Sequence, residues 1–183
     1  MADPLETIQD ELAAVLPRVD RERLAAFTDR LADAGRVFVA GEGRSGLMAR
    51  AFAMRLMHLG STVFVVGETI TPAVEPGDTL VAVSGSGATA GTVRVAEQAR
   101  DTGATVLAVT TDPGSPLARA ADTVLEVPAA TKHRRAGEAS TNQPLSSLFD
   151  QATHLVLDAV TLDLVTRRGT DNAAARAAHS NVE

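Results

Sequence analysis

Two glycine-rich segments hold the residues of this chain whose types and spacing suit chemistry. They are Gly41-Glu42-Gly43-Arg44-Ser45-Gly46 and Ser84-Gly85-Ser86-Gly87-Ala88-Thr89. Glycines let a backbone turn sharply and leave N–H groups uncovered, and a helix that starts just after such a turn adds positive potential for an anion. Ser84, Ser86 and Thr89 add three hydroxyl donors within one turn, matching the three terminal oxygens of a phosphate monoester. Either segment alone is equally consistent with a tight turn whose Ser and Thr cap a helix. Two of them, each placed between a strand and a helix, favour ligand binding. The first also satisfies G-x-G-x-x-G, with Glu68 at a suitable distance for a ribose contact, so a nicotinamide-dependent oxidoreductase is a competing reading. Against it, the second segment is the richer in hydroxyls, a dinucleotide fold needs one phosphate turn, and little chain is left for a substrate domain. Neither segment is followed by Gly-Lys-Ser/Thr, which argues against a nucleoside triphosphatase.

These loops need a scaffold, and the hydrophobic pattern supplies one. Leu5, Ile8, Leu12, Val15 and Leu16 fall at helical spacing until Pro17 interrupts them. Asp20 can cap a second helix carrying Leu24, Phe27 and Leu31, closed by Gly35. Short apolar strands are then expected at residues 37–40, 62–66, 79–83, 105–109 and 123–127. Amphipathic helices are expected from Ser45 to Gly60, from the second glycine segment to Gly103, and from Pro144 through Val165. Near-continuous Val-rich strands between helices predict an α/β fold with a doubly wound five-stranded parallel sheet, N-terminal helices and a long C-terminal helix. Ligands in such sheets bind at the carboxyl ends of the strands. Residues 128–143 form the longest irregular stretch, with a basic cluster at Lys132, His133, Arg134 and Arg135. A loop of that length is functional or mobile, and composition does not choose between these and a solvated excursion.

At 183 residues, 45% hydrophobic and 22% charged, the chain is expected to form one globular domain spanning 1–183. A formal net charge of −6 argues against a nucleic-acid partner, and an aromatic content of 3% suits base stacking poorly. The absence of cysteine excludes disulfides, thiolate catalysis and thiolate metal sites. Four scattered His without close ligand spacing offer no metal cluster. With no signal-peptide pattern and no apolar run of membrane-spanning length, the expected compartment is the cytoplasm, with no membrane partner.

The Ser84–Thr89 hexapeptide resembles the phosphate loop Ser-x-Ser-Gly-x-Thr of the sugar isomerase (SIS) family. Gly43-Arg44-Ser45-Gly46, Ala53-Met54-Arg55-Leu56-Met57-His58-Leu59-Gly60 and Val65-Val66-Gly67-Glu68-Thr69 are similar to the 6-phospho-3-hexuloisomerases within it. So are Gln143-Pro144-Leu145, Ser147-Leu148-Phe149 and the tail His179-Ser180-Asn181-Val182-Glu183. The resemblance implies a flavodoxin-like tetramer with no organic cofactor. It implies an isomerase of the ribulose monophosphate pathway, converting D-arabino-hex-3-ulose 6-phosphate, the formaldehyde adduct of ribulose 5-phosphate, to fructose 6-phosphate. Functional coupling to 3-hexulose-6-phosphate synthase would follow. Other SIS sugar-phosphate isomerases, and a non-catalytic SIS sensor of sugar phosphates, are the alternatives.

Moving a carbonyl from C3 to C2 requires a general base above the carbon pair and a means of moving protons between two oxygens. The resemblance places Asp150 where family members carry a Glu thought to be the base, one methylene longer. It implies substrate contacts from Gly43, Arg44, Ser45, Ser84, Ser86 and Thr89, and catalytic roles for His58 and His179. From the residues alone, Arg44 could equally pair with Glu42 on the surface, His133 is solvated, and His58 is a packed structural His. Glu42 puts a negative charge beside an anion site. His58 lies about 20 Å along its helix from Ser45, too far to serve its own loop. Leu47, Ala51 and Met54 form a second apolar stripe in line with it, so this helix is expected to be buried on both sides, at a subunit interface. The resemblance implies that His58 acts instead in a neighbouring subunit's site, across that interface.

Overall fold

The computed structural model describes residues 3–182. Asp3 caps the first helix, α1 (Pro4–Val15), accepting the Leu5 N–H at 2.7 Å, and Pro17 falls in a single 3₁₀ turn that ends the run. Asp20 caps α2 (Arg21–Ala32) through the N–H groups of Glu22 and Arg23, at 2.9 and 3.1 Å. Satisfying these first N–H groups is what fixes a helix start at an Asp. The chain then alternates β1 (Arg36–Gly41), α3 (Gly43–His58), β2 (Thr62–Val65), β3 (Thr79–Val83), α4 (Ala90–Thr102), β4 (Thr105–Thr110), α5 (Pro116–Ala120) and β5 (Thr123–Glu126). It closes with α6 (Ser147–Arg168) and α7 (Asn172–Ala177). No described helix is long and apolar enough to cross a membrane.

All five strands are parallel, in the order β2-β1-β3-β4-β5. The chain moves from β1 outward to β2, then crosses back to β3 and winds the other way, so β1 and β3 flank the switch point where ligands bind in such sheets. Their register pairs Gly41 with Val83. The two glycine segments therefore leave neighbouring strands at the same level. One face of the sheet packs on α1, α2, α3 and α6 through Phe27, Phe52, Phe149 and Leu157. The other packs on α4 and α5 through Phe38, Ala96 and Leu117. The strands between these layers are apolar on both faces, as a sheet covered twice must be.

The close seating of α3 on β1 depends on Gly46. A β-carbon built there would fall 2.5 Å from the Gly41 carbonyl oxygen, so no larger residue lets the helix start this near its strand. Helix α4 opens at Ala90, directly after the second glycine segment, but two other helix starts differ from the sequence expectation. Helix α3 begins at Gly43, two residues earlier than Ser45. Helix α6 begins at Ser147 and not at Pro144, because Leu145 at φ 53° breaks the helical path between them. The short α5, capped by Ser115, and the Ala-rich α7, capped by Asp171, are not among the expected helices.

Candidate active site

The bland reading of the two glycine loops is that their polar residues cap the helices that follow. The geometry rules this out. The residue preceding α3 is Glu42 and the residue preceding α4 is Thr89, and neither side chain bonds the N–H groups of its helix. Thr89 Oγ1 instead faces Ser84 Oγ at 3.0 Å, across the mouth of the second loop, while Ser86 Oγ accepts the Ala88 N–H at 3.2 Å. The loop is braced from below. The Gly85 carbonyl accepts both the Thr110 and Thr111 hydroxyls, at 3.2 and 2.9 Å. Hydroxyls and first-turn N–H groups are thus gathered at one point, the arrangement that holds a phosphate group.

Both loops open into one cavity of about 360 Å³. Gly43, Arg44 and Ser45 line it from α3, and Ser84, Ser86 and Thr89 from the loop after β3. Asp150 closes it from the first turn of α6. Asp150 is only 2% exposed, and two residues of the first loop hold its carboxylate. Arg44 Nε donates to Oδ2 at 2.8 Å, and the Ser45 hydroxyl lies 3.4 Å from Oδ1. Burial raises the carboxyl's pKa above the usual range, and the bonds to Arg44 and Ser45 partly offset it. A buried carboxylate with a raised pKa is a better proton acceptor than a surface one. The surface pairing of Arg44 with Glu42 is absent. Glu42 instead lies across the first turn of α4, its Oε1 only 1.9 Å from where a β-carbon on Gly91 would stand.

The stretch 128–143 is neither a solvated excursion nor loose. Glu138 is its keystone: Oε1 accepts the Thr131 and Thr111 hydroxyls at 2.8 and 3.2 Å, and Oε2 accepts the Thr131 and Arg135 N–H groups at 2.8 and 3.2 Å. Glu11 of α1 ties down the far end, accepting from Asn142 N–H at 2.6 Å and Gln143 Nε2 at 2.9 Å. Thr131, Lys132, His133, Leu145 and Ser146 consequently wall the cavity, so His133, exposed as expected, nevertheless faces the site. Neither Glu138 nor Glu11 stands out in the sequence. An isolated Glu carries no local signal when its partners are distant in the chain.

His58 and His179 do not line this cavity. His58 ends α3, about 22 Å along the helix from Gly43. There α7 brings the tail back, and the two imidazoles stack with centroids 5.2 Å apart and planes 13° from parallel. Burial lowers the His58 pKa, with the charges of Arg55 and His179 adding to the effect. Leu47 and Met54, on the stripe assigned to an interface, are 55% and 50% exposed in the single chain. Glu68, the ribose candidate, lies outside the cavity, in a separate depression with Arg50, Met57 and Ile70.

The SIS domain pattern matches residues 30–155. The chain is 44% identical to 3-hexulose-6-phosphate isomerase of Mycobacterium gastri over 98% of its own length and 89% of that protein's. It is 37% identical to the Bacillus subtilis enzyme of the same name, over 96% and 95% of the two chains. Among solved structures, a hypothetical protein of Methanococcus jannaschii, described with an inferred function of 3-hexulose-6-phosphate isomerase, superposes with a TM-score of 0.85. That match covers 98% of both chains at 29% identity.

Glu138→Leu tests the keystone. It removes both carboxylate oxygens, so the Thr131 and Arg135 N–H groups and the two threonine hydroxyls lose a shared acceptor. Stability should fall by about 1–3 kcal/mol, and hydrogen exchange at the Thr131 and Arg135 amides should accelerate while β-sheet amides stay protected. Unchanged exchange at those two amides would show that the loop is held elsewhere.

Proposed function

The chain belongs to the SIS domain family, and we propose that it is a 3-hexulose-6-phosphate isomerase, interconverting D-arabino-hex-3-ulose 6-phosphate and fructose 6-phosphate. The observation that carries this reading is the single cavity joining the hydroxyl-rich 84–89 loop to the buried, proton-accepting Asp150. The named relatives, at 44% and 37% identity over nearly the whole chain, support the choice of substrate.

The phosphate sits on the 84–89 loop and the start of α4, which fixes the register of the sugar chain and removes much of the entropic cost of reaction. Asp150 takes the proton from C2, leaving a 2,3-enediolate. The Arg44 guanidinium keeps Asp150 ionised through Nε, and its remaining N–H groups serve the developing oxyanion. The proton returns to C3 as the hydroxyl proton on O2 passes to O3, which completes the isomerisation. A second acid–base group is needed for that oxygen-to-oxygen transfer, and among the described residues of the same chain His133 is the one His that lines the cavity. The stacked pair His58 and His179 supplies it from a neighbouring subunit, in a homotetramer assembled across the apolar stripe of Leu47 and Met54. Burial favours the neutral form of His58, which can both give and accept a proton. The substrate comes from an aldol addition of formaldehyde to ribulose 5-phosphate, so functional coupling to the synthase that performs it belongs to this reading.

A coupled assay from hex-3-ulose 6-phosphate tests the activity, with turnover expected; stable binding of fructose 6-phosphate without turnover would make the protein a sensor. The acid limb of kcat/KM should lie above the usual carboxylate range, because Asp150 must be ionised to act and its pKa is raised. The stability contribution has the opposite sense: with a folded pKa above the unfolded one, it is complete below the unfolded pKa and lost as pH rises through the folded value. Asp150→Asn should therefore abolish turnover without lowering the melting temperature at pH 7. Normal turnover in that variant would remove Asp150 from the mechanism.

Subunit mixing tests the shared site. Inactive His58→Ala and inactive Asp150→Asn chains, dissociated and reassembled together, should regain part of the activity, since hybrids contain sites with both residues intact. Reassembled mixtures that stay inactive while each variant keeps the wild-type oligomer size would refute a contribution from the neighbour.

A further inference from the structure

Among its 17 basic residues the chain has one lysine, Lys132, and the rest are arginines. That lysine lines the cavity. Its basic neighbours are committed elsewhere. Arg134 donates to the carbonyls of Thr131, Leu145 and Gln143, at 3.0, 3.0 and 2.7 Å, which shapes the loop. Arg135 donates to the Ser86 carbonyl at 3.0 Å and to Asp112 at 3.2 Å, which fastens this loop to the phosphate loop. The Lys132 ammonium makes no hydrogen bond or ion pair among the described residues, whereas its backbone is fixed by an N–H bond to Ser146 Oγ at 3.1 Å.

Position decides which end of a ligand this ammonium meets. Thr131, the preceding residue, packs on Gly85 so closely that a β-carbon there would lie 3.1 Å from the threonine methyl. Lys132 is thus held between two residues that touch the 84–89 loop, Thr131 and Arg135. The charge balance points the same way. In the cavity the one arginine, Arg44, is already bonded to the Asp150 carboxylate. A dianionic phosphate entering such a site needs another cation. Lysine is well suited here, because its compact ammonium, on a flexible stem, meets a phosphate as a point charge without the fixed fork that a guanidinium requires.

We propose that Lys132 is a substrate-binding residue, its ammonium pairing with the phosphate group that the 84–89 loop holds. The proposal rests on the sugar-phosphate reading of the site, but its test does not require isomerase turnover. Because the chain has one lysine, an amine-specific acylating reagent labels only Lys132 and the N-terminus, and peptide mapping separates the two. Inorganic phosphate should slow labelling of Lys132 severalfold and leave the N-terminus unaffected, while chloride at equal ionic strength should not. In the coupled assay, Lys132→Met should raise both KM and the inhibition constant of inorganic phosphate about tenfold to a hundredfold, with kcat within about threefold of wild type. Lys132→Arg should restore part of the loss. Unprotected Lys132, or a loss in kcat with phosphate inhibition unchanged, would overturn the assignment. If phosphate protects Lys132 in a protein that does not turn over the hexulose phosphate, the isomerase reading fails and the lysine assignment stands.

Discussion

The site depends on one pairing in the sheet, the parallel register of β1 with β3 that sets Gly41 beside Val83. Because β1 turns outward to β2 while β3 winds the other way, their following loops diverge over opposite faces and leave a crevice between them. A shift of one residue in that register would move the 41–46 loop by roughly 3.3 Å along the strand relative to the 84–89 loop. Arg44 and Ser45 would then no longer share a cavity with Ser84 and Thr89. Register is in turn held by strands apolar on both faces, buried between α3 and α6 on one side and α4 and α5 on the other.

From that crevice, precision passes to the residues that bring α6 to it. Gly85 packs against the Phe149 ring and the Thr131 methyl, with room for no side chain of its own. Phe149 is adjacent to Asp150, so the contact that seats the phosphate loop also sets the height of the carboxylate. This gives a physical reason for an Asp in a place where the resemblance implies the longer Glu. Direct bonds from Arg44 and Ser45 reach the shorter side chain, tying α6 to α3 at the carboxylate itself. In the proposed reaction, the 84–89 loop holds the phosphate at one end and the fixed Asp150 carboxylate meets the sugar's upper carbons at the other.

Much of this is legible in the sequence, for identifiable reasons. The strands declare themselves because a doubly covered sheet demands unbroken apolar runs, and the cap Asp20 because its chemistry is local. The cavity residues Gly43, Arg44, Ser45, Ser84, Ser86, Thr89 and Asp150 follow from two short motifs and a resemblance. What stays hidden are non-local bonds. Glu138 and Glu11 hold the 128–143 stretch through bonds that include partners far along the chain, and Arg44 pairs with Asp150, 106 residues away, and not with the nearby Glu42. The stacking of His179 on His58 is equally out of reach, because it depends on α7, a six-residue helix without an amphipathic repeat to announce it.

A carboxylate that moves a proton between carbons through an enediol exposes that proton to solvent, so isotope exchange tests the mechanism most directly. Fructose 6-phosphate is incubated with the protein in D₂O and its C3 position followed by proton NMR. Wild-type protein should steadily replace the C3 proton by deuterium, and Asp150→Asn should replace none. Formation of hexulose phosphate with the original proton retained after full equilibration would contradict the enediol route, since that result belongs to a direct hydride shift.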